Sequence, residues 1–127
     1  MKTLKVWGSR EVLWEESHVL ITLLHLKKDT YSSLHNHKSK SDKFIVVSGE
    51  VKIITELGET TLFSGDVLVI DPPLLHQFVV VTNSVMIEIS YSKLDAEDIC
   101  RIYQGGKIVD GEKVSLNELN KIAREVK

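Results

Sequence analysis

The sequence predicts an all-β domain, an antiparallel sandwich or barrel, with a helical extension at its C-terminal end. Three observations carry this expectation. Short stretches rich in Val, Ile, Phe and Thr recur at near-regular spacing through the first ninety residues. The breaks between them hold residues that favour turns. No helical period lies between the stretches, which leaves no room for the crossover helices of a parallel sheet.

The strand candidates are Val19 to Leu26, Phe44 to Val47, Val51 to Ile54, Thr60 to Phe63, Val67 to Ile70, Gln77 to Thr82 and Val85 to Tyr91. Turns are expected at Lys28-Asp29, Ser48-Gly49-Glu50, Leu57-Gly58-Glu59, Ser64-Gly65-Asp66 and Thr82-Asn83-Ser84. The pattern changes after Tyr91. Ser115-Leu116-Asn117-Glu118 has the capping-box form, and Leu116, Leu119, Ile122, Ala123 and Val126 follow at helical spacing. An amphipathic helix is expected over Ser115 to Val126. Leu94 to Tyr103 reads as a short helix or turn with Asp95 as N-cap, and Gly105-Gly106 separates the two. The chain is read as one domain over residues 1–127, with a barrel over about 5–92 and a tail over about 93–127.

Composition narrows the function classes. The chain has 127 residues, 43% of them hydrophobic and 27% charged, values that argue against disorder, collagen and coiled coil. A formal charge of -2 gives no global basic field for nucleic acid. No run approaches the roughly 20 apolar residues of a membrane helix, and the start has no signal-peptide core. With Cys100 as the single cysteine, no internal disulfide can form, and a cytoplasmic setting is expected. Cys100 itself is expected to be a buried small residue, and Trp7 and Trp14 to pack rather than to bind a ligand.

Five histidines are present, and three of them form a pattern. His35 and His37 flank Asn36. On a strand, residues two apart point to one face, so both imidazoles would aim the same way about 7 Å apart. Asp42 follows the short polar loop Lys38-Ser39-Lys40-Ser41, which is long enough to swing a carboxylate back and is otherwise read as a solvated loop. His76 lies far along the chain, beyond Gly65-Asp66 and Pro72-Pro73. Three imidazoles and a carboxylate make a nitrogen and oxygen donor set for one divalent ion (Zn, Mn, Fe, Ni or Co), with positions left open for water or substrate. His18 and His25 have no such partners and are assigned no role.

These residues resemble a known family. His35-Asn36-His37, Asp42 and Gly49 are similar to the first motif of the cupin superfamily, and Gly65, Asp71-Pro72-Pro73 and His76 to the second. Asp42 stands where Glu is usual, Asp71 and Pro73 replace Pro and Gly, and Val80 replaces Asn, while the three histidines are kept. The resemblance implies a double-stranded β-helix, a jelly-roll-like barrel. A narrower resemblance is to the C-terminal cupin domain of type II (bifunctional) mannose-6-phosphate isomerase / mannose-1-phosphate guanylyltransferase. It is carried by Val6-Trp7-Gly8-Ser9, Val46-Val47-Ser48-Gly49, Ile87-Glu88-Ile89 and Glu97-Asp98-Ile99-Cys100-Arg101. That family has Gln-Met-His in place of His35-Asn36-His37 and a His in place of Lys43.

The resemblance implies a metal-dependent sugar-phosphate isomerase or epimerase. The metal would sit on His35, His37 and His76, with Asp42 as a further ligand. Arg101 would clamp a phosphate or stabilise the transition state, Lys43 would serve similarly near the cavity mouth, and Glu88 would be the base or its hydrogen-bond partner. If Ile87 and Ile89 fill the layer between the sheets, Glu88 lies on the opposite face. An Fe- or Mn-dependent oxygenase and a non-catalytic sugar-binding cupin are the alternatives. The partners implied are a small sugar or sugar phosphate and a second copy of the chain, a homodimer, with neither nucleic acid nor membrane.

Overall fold

The computed structural model describes residues 2–91 and 99–115, and the side chains among them except those of residues 114 and 115. Every element among the described residues is a strand. They are β1 (Lys2–Lys5), β2 (Gly8–Glu16), β3 (Val19–Leu26), β4 (Thr30–Tyr31), β5 (Leu34–His37), β6 (Ser41–Ser48) and β7 (Glu50–Thr55). Then follow β8 (Gly58–Phe63), β9 (Val67–Ile70), β10 (His76–Val80), β11 (Ser84–Tyr91), β12 (Ile99–Tyr103), β13 (Gly106–Val109) and β14 (Glu112–Ser115). Among the described residues no helix is long and apolar enough to cross a membrane.

All pairings among the described residues are antiparallel. One sheet has six strands in the order β1-β2-β3-β11-β6-β9. The other has eight, ordered β12-β5-β10-β4-β13-β14, with β7 joined to β10 and β8 joined to β7. The two close on each other as the expected double-stranded β-helix. The expected short helix or turn over Leu94 to Tyr103 is corrected at its C-terminal end: Ile99–Tyr103 is strand β12, paired with β5. A polar backbone edge on β5 offers more hydrogen bonds than one helical turn could satisfy. Residues 94–98, with the Asp95 cap, and 116–126 of the expected C-terminal helix lie outside the described residues; Ser115 ends β14.

Inward side chains change character along the central strands. On β6 they run Asp42, Phe44, Val46, and on β10 His76, Phe78, Val80. On the antiparallel β11 they run in reverse, Ser84, Met86, Glu88, Ser90, in register so that Ser90 lies opposite Asp42 and Met86 opposite Val46. One end of the barrel is therefore a dry core. Leu24, Leu26, Phe44, Val46, Val51, Ile53, Leu62, Ile70, Phe78, Val80 and Met86 form a single buried cluster there. The other end is polar and holds the histidines.

The outward faces explain the rest of the pattern. Ile87 and Ile89 point out of the barrel, where they meet Ile45 and Lys43 of β6. This puts Glu88 inside. Trp7 packs edge-on against Phe78, with ring centroids 5.2 Å apart, and its carbonyl accepts a 2.8 Å hydrogen bond from the Lys27 amide. Trp14 sits 56% exposed on a bulge of β2. Cys100 is exposed, not buried as expected, because it alternates to the solvent side of β12.

Candidate metal centre

The two distant histidine segments meet across a strand pair. His76 of β10 is the register partner of His35 on β5. The ring centroids lie 4.4 Å apart for His35 and His76, 5.1 Å for His35 and His37, and 5.7 Å for His37 and His76. Each of the three offers one ring nitrogen, and these atoms lie within 4.8 Å of one another. The loop before His76 is fastened to the first segment by two hydrogen bonds. Asn36 Nδ2 donates to the Pro73 carbonyl at 3.0 Å, and Ser41 Oγ to Asp71 Oδ1 at 2.9 Å.

The second nitrogen of each ring decides what the first can do. Nδ1 of His76 lies 2.9 Å from the Leu74 carbonyl, and Nδ1 of His35 lies 2.9 Å from the Ser33 carbonyl. A carbonyl oxygen only accepts, so each Nδ1 carries the proton and leaves Nε2 as a lone pair. Burial and the neighbouring His76 lower the His35 pKa to about 3, which keeps that ring neutral. Nδ1 and Nε2 of His37 and Nε2 of His76 are buried with no hydrogen-bond partner among the described residues. Orphaned buried nitrogens are unfavourable unless something binds them, and imidazole lone pairs bind divalent metals.

Asp42 is 1% exposed and completes the group. Its Oδ2 lies 3.4 Å from His37 Nε2 and 3.6 Å from His76 Nε2. Two donors that each sit about 2.1 Å from one ion lie roughly 3–3.5 Å apart, so these spacings fit a shared cation. Its other oxygen accepts a 2.7 Å hydrogen bond from Ser90 Oγ and faces Lys40 Nζ at 3.5 Å. Burial alone would raise the Asp42 pKa. The imidazoles of His37 and His76, Lys40 and Ser90 outweigh it and hold the carboxyl well below the usual range. The residues present fit a divalent cation.

Beside this group opens a cavity of about 740 Å³, a size that suits a small-molecule ligand. His35, His37 and Asp42 line it together with Glu88 and Arg101. Glu88 is half-buried, and burial followed by the charge of Asp42 raises its pKa to about 7. Arg101 is the register partner of His35, which brings it to the rim of the histidine group. Lys43 alternates to the outer face of β6 opposite Val69 and does not line the cavity. Lys40, read from sequence as part of a solvated loop, lines it. Arg10, Lys5 and Ser90 went unnoticed in the sequence. Ser90 was signalled only by standing two residues from Glu88 on the same strand face, and nothing local marked Arg10.

A double-stranded β-helix with three imidazoles converging at its polar end defines a cupin. Residues 1–104 match the family model for the mannose-6-phosphate isomerase C-terminal domain, and the chain belongs to that family. A search of curated proteins finds no match. Among solved structures, KdgF from Halomonas sp. is similar at 18% identity and TM-score 0.65, over 70% of this chain and 82% of that one. Pac13 from Streptomyces, a nucleoside dehydratase solved with uridine, is similar at 12% identity and TM-score 0.73, over 89% of each chain. An RmlC-like cupin from Shewanella frigidimarina is similar at 20% identity and TM-score 0.66, over 71% of this chain and 80% of that one. Likeness at such identities establishes the fold alone.

Proposed function

We propose that this chain is a metal-dependent isomerase or epimerase of sugar phosphates. The observation that carries the reading is that Glu88 and Arg101 line the same cavity as the histidine group. His35, His37 and His76 would hold the ion, with Asp42 as a fourth ligand. When bound, the ion supplies Lewis acidity that polarises a carbonyl or hydroxyl oxygen of the substrate.

The protein's own groups do the remaining work. Glu88, ionised in part near neutral pH, takes the proton from a carbon next to the carbonyl and returns it to the neighbouring carbon. The electron pair left behind moves onto the carbonyl oxygen, where Arg101 stabilises the charge that develops, and the proton of the adjacent hydroxyl passes to that oxygen as the new carbonyl forms. Its place opposite His35 supports this role over that of a distant phosphate clamp. Lys43, on the outer face, is left out of the mechanism. Ser90 and Lys40 hold the Asp42 carboxylate in its ionised form. The walls formed by Leu20, Leu24 and Phe78 exclude water from one side of the cavity.

The test is solvent exchange. Metal-loaded protein in D2O with mannose 6-phosphate and a panel of other sugar phosphates should incorporate deuterium at the carbon next to the carbonyl. Glu88→Gln should abolish incorporation while metal content stays at the level of the parent. No incorporation in any sugar phosphate by fully loaded protein overturns the reading.

We further propose a homodimer. Val47, Val67 and Val69 on the outer face of the six-stranded sheet are 46%, 48% and 41% exposed, an apolar surface that a second copy would cover. A sedimentation run giving only monomer at micromolar concentration would remove this claim.

A further inference from the structure

The N-terminal hairpin carries two cations into the cavity that the mechanism above leaves unused. Strands β1 and β2 pair so that Thr3 lies opposite Arg10 and Lys5 opposite Gly8. Alternation puts Lys5 and Arg10 on one face of the hairpin as diagonal neighbours. That face is the inner one, since the partner of Arg10 on β3 is the core residue Leu24. Both cations line the cavity.

Neither makes an ion pair or a side-chain hydrogen bond among the described residues. Arg10 is half-buried, and a guanidinium keeps its charge at any ordinary pH. Holding it in a recess without a counter-ion is unfavourable. Glu88 feels the Arg10 charge, which works against the rise in its pKa, but the two form no ion pair among the described residues. The cavity as a whole is short of negative charge. Lys5, Arg10, Lys40 and Arg101 face Glu15, Asp42 and Glu88, one cation in excess before a divalent ion adds two more charges.

The hairpin is also held firmly. The Trp7 carbonyl accepts from the Lys27 amide, the Trp7 ring abuts Phe78, and Gly8 brings the backbone against the His25 carbonyl. Its backbone therefore loses little freedom on binding a ligand. The two cations rise from the six-stranded sheet, while the imidazoles and Arg101 rise from the eight-stranded one. A ligand between the sheets meets anion-binding groups on one wall and the candidate metal centre on the other.

We propose that Arg10 and Lys5 form an oxyanion subsite, which takes the phosphate of a sugar phosphate while the sugar's hydroxyl or carbonyl oxygens face the imidazoles. This assignment rests on the reading of the cavity as a metal-dependent carbohydrate site. Guanidinium and ammonium groups recognise phosphate through charge-assisted hydrogen bonds, and the pair supplies donors from two adjacent strands.

The experiment is a calorimetric titration of zinc-loaded protein with mannose 6-phosphate, mannose and inorganic phosphate. The parent should bind mannose 6-phosphate roughly tenfold or more tightly than mannose. Arg10→Gln and Lys5→Gln should each cut that preference, with affinity for mannose and zinc content unchanged, and Arg10→Lys should restore part of it. The assignment is overturned if Arg10→Gln binds mannose 6-phosphate as tightly as the parent. It is equally overturned if the parent neither prefers mannose 6-phosphate over mannose nor binds inorganic phosphate. Turnover reads the isomerase proposal separately. A phosphate preference that depends on Arg10 without turnover sinks the isomerase and keeps the subsite. Turnover with a preference indifferent to Arg10 does the reverse.

Discussion

Ser90 donates a 2.7 Å hydrogen bond to Oδ1 of Asp42 inside the barrel, which leaves Oδ2 facing His37 and His76. The two residues are register partners on β11 and β6, so the bond is fixed by the sheet itself. Groups that orient a metal ligand commonly tune affinity by about 10–100-fold. Ser90→Ala frees the carboxylate to turn and removes one of the contacts that keep it ionised. We expect it to weaken zinc binding by roughly tenfold in a competition titration against a chelator, with the fold intact by circular dichroism. Unchanged zinc affinity would show that the Ser90 bond does not tune the Asp42 carboxylate as a ligand.

The pH dependence of the metal-free protein follows from Glu88. Its pKa is raised from 4.5 to about 7 by burial and by Asp42. Between those values the unfolded chain has released the proton and the folded chain still holds it. The unfolded state thus binds fewer protons, and stability falls as pH rises through this window. Glu88→Gln removes the titration. The variant should lose that downward slope and exceed the parent at pH 8 by on the order of 1 kcal/mol. Urea midpoints at pH 5 and pH 8 provide the check, and a parent slope equal to the variant's would refute it.

Much of the barrel was legible because alternation and turn chemistry act locally. Val19–Leu26 and Val67–Ile70 emerge with the bounds their composition suggests. The hairpins at Gly49 and Gly58 fall where a glycine permits positive φ. The histidine pair was legible because a strand forces His35 and His37 to one face, and only the arrival of His76 needed the fold. What escaped the reading depends on pairing between distant segments. Ile99–Tyr103 has mixed polarity and becomes a strand only because β5 offers it an edge. Glu88 between two isoleucines reads as the outward residue of an amphipathic strand. The barrel inverts this, because its polar end needs an inward carboxyl and its outer face carries the isoleucines. Arg10 lay in a strand with no clean period, so nothing local marked it as facing a cavity.

Gly8 sets the approach of the N-terminal hairpin to β3. Its φ of 141° lies in the region that side chains rarely adopt, and a Cβ there would collide with the His25 carbonyl. That carbonyl belongs to the strand β2 pairs with, so the clash cannot be relieved by a rotamer change. Gly8→Ala must therefore push β2 away from β3 and lift Trp7 from Phe78. A loss of more than about 2 kcal/mol is expected in urea unfolding. A smaller loss, with the Trp7 fluorescence of the parent retained, would mean that the strand pair accommodates the methyl group.

Gln77 ties the C-terminal strands to the outside of the barrel. It is 2% exposed. Its Oε1 accepts hydrogen bonds from Tyr103 Oη and Lys113 Nζ, both at 2.7 Å, and its Nε2 donates to the Ser32 carbonyl at 3.2 Å. One amide thus joins β10 to β12, β14 and the segment leading to His35. Partial burial lowers the Lys113 pKa, and its ammonium lies 5.5 Å from the centre of the Tyr31 ring. Gln77→Leu would release Tyr103 and Lys113 to water and leave the buried Ser32 carbonyl without its donor, a cost of about 1–3 kcal/mol for a buried polar group. The effect should be regional. Amide hydrogen exchange should quicken over Ile99–Tyr103 and Gly106–Val109, whose strand pairing to the barrel runs through β5 and β4, and remain slow in β6 and β11, which pair on both sides. Exchange that quickens uniformly would instead make Gln77 part of the global fold, with no separate unit formed by the C-terminal strands.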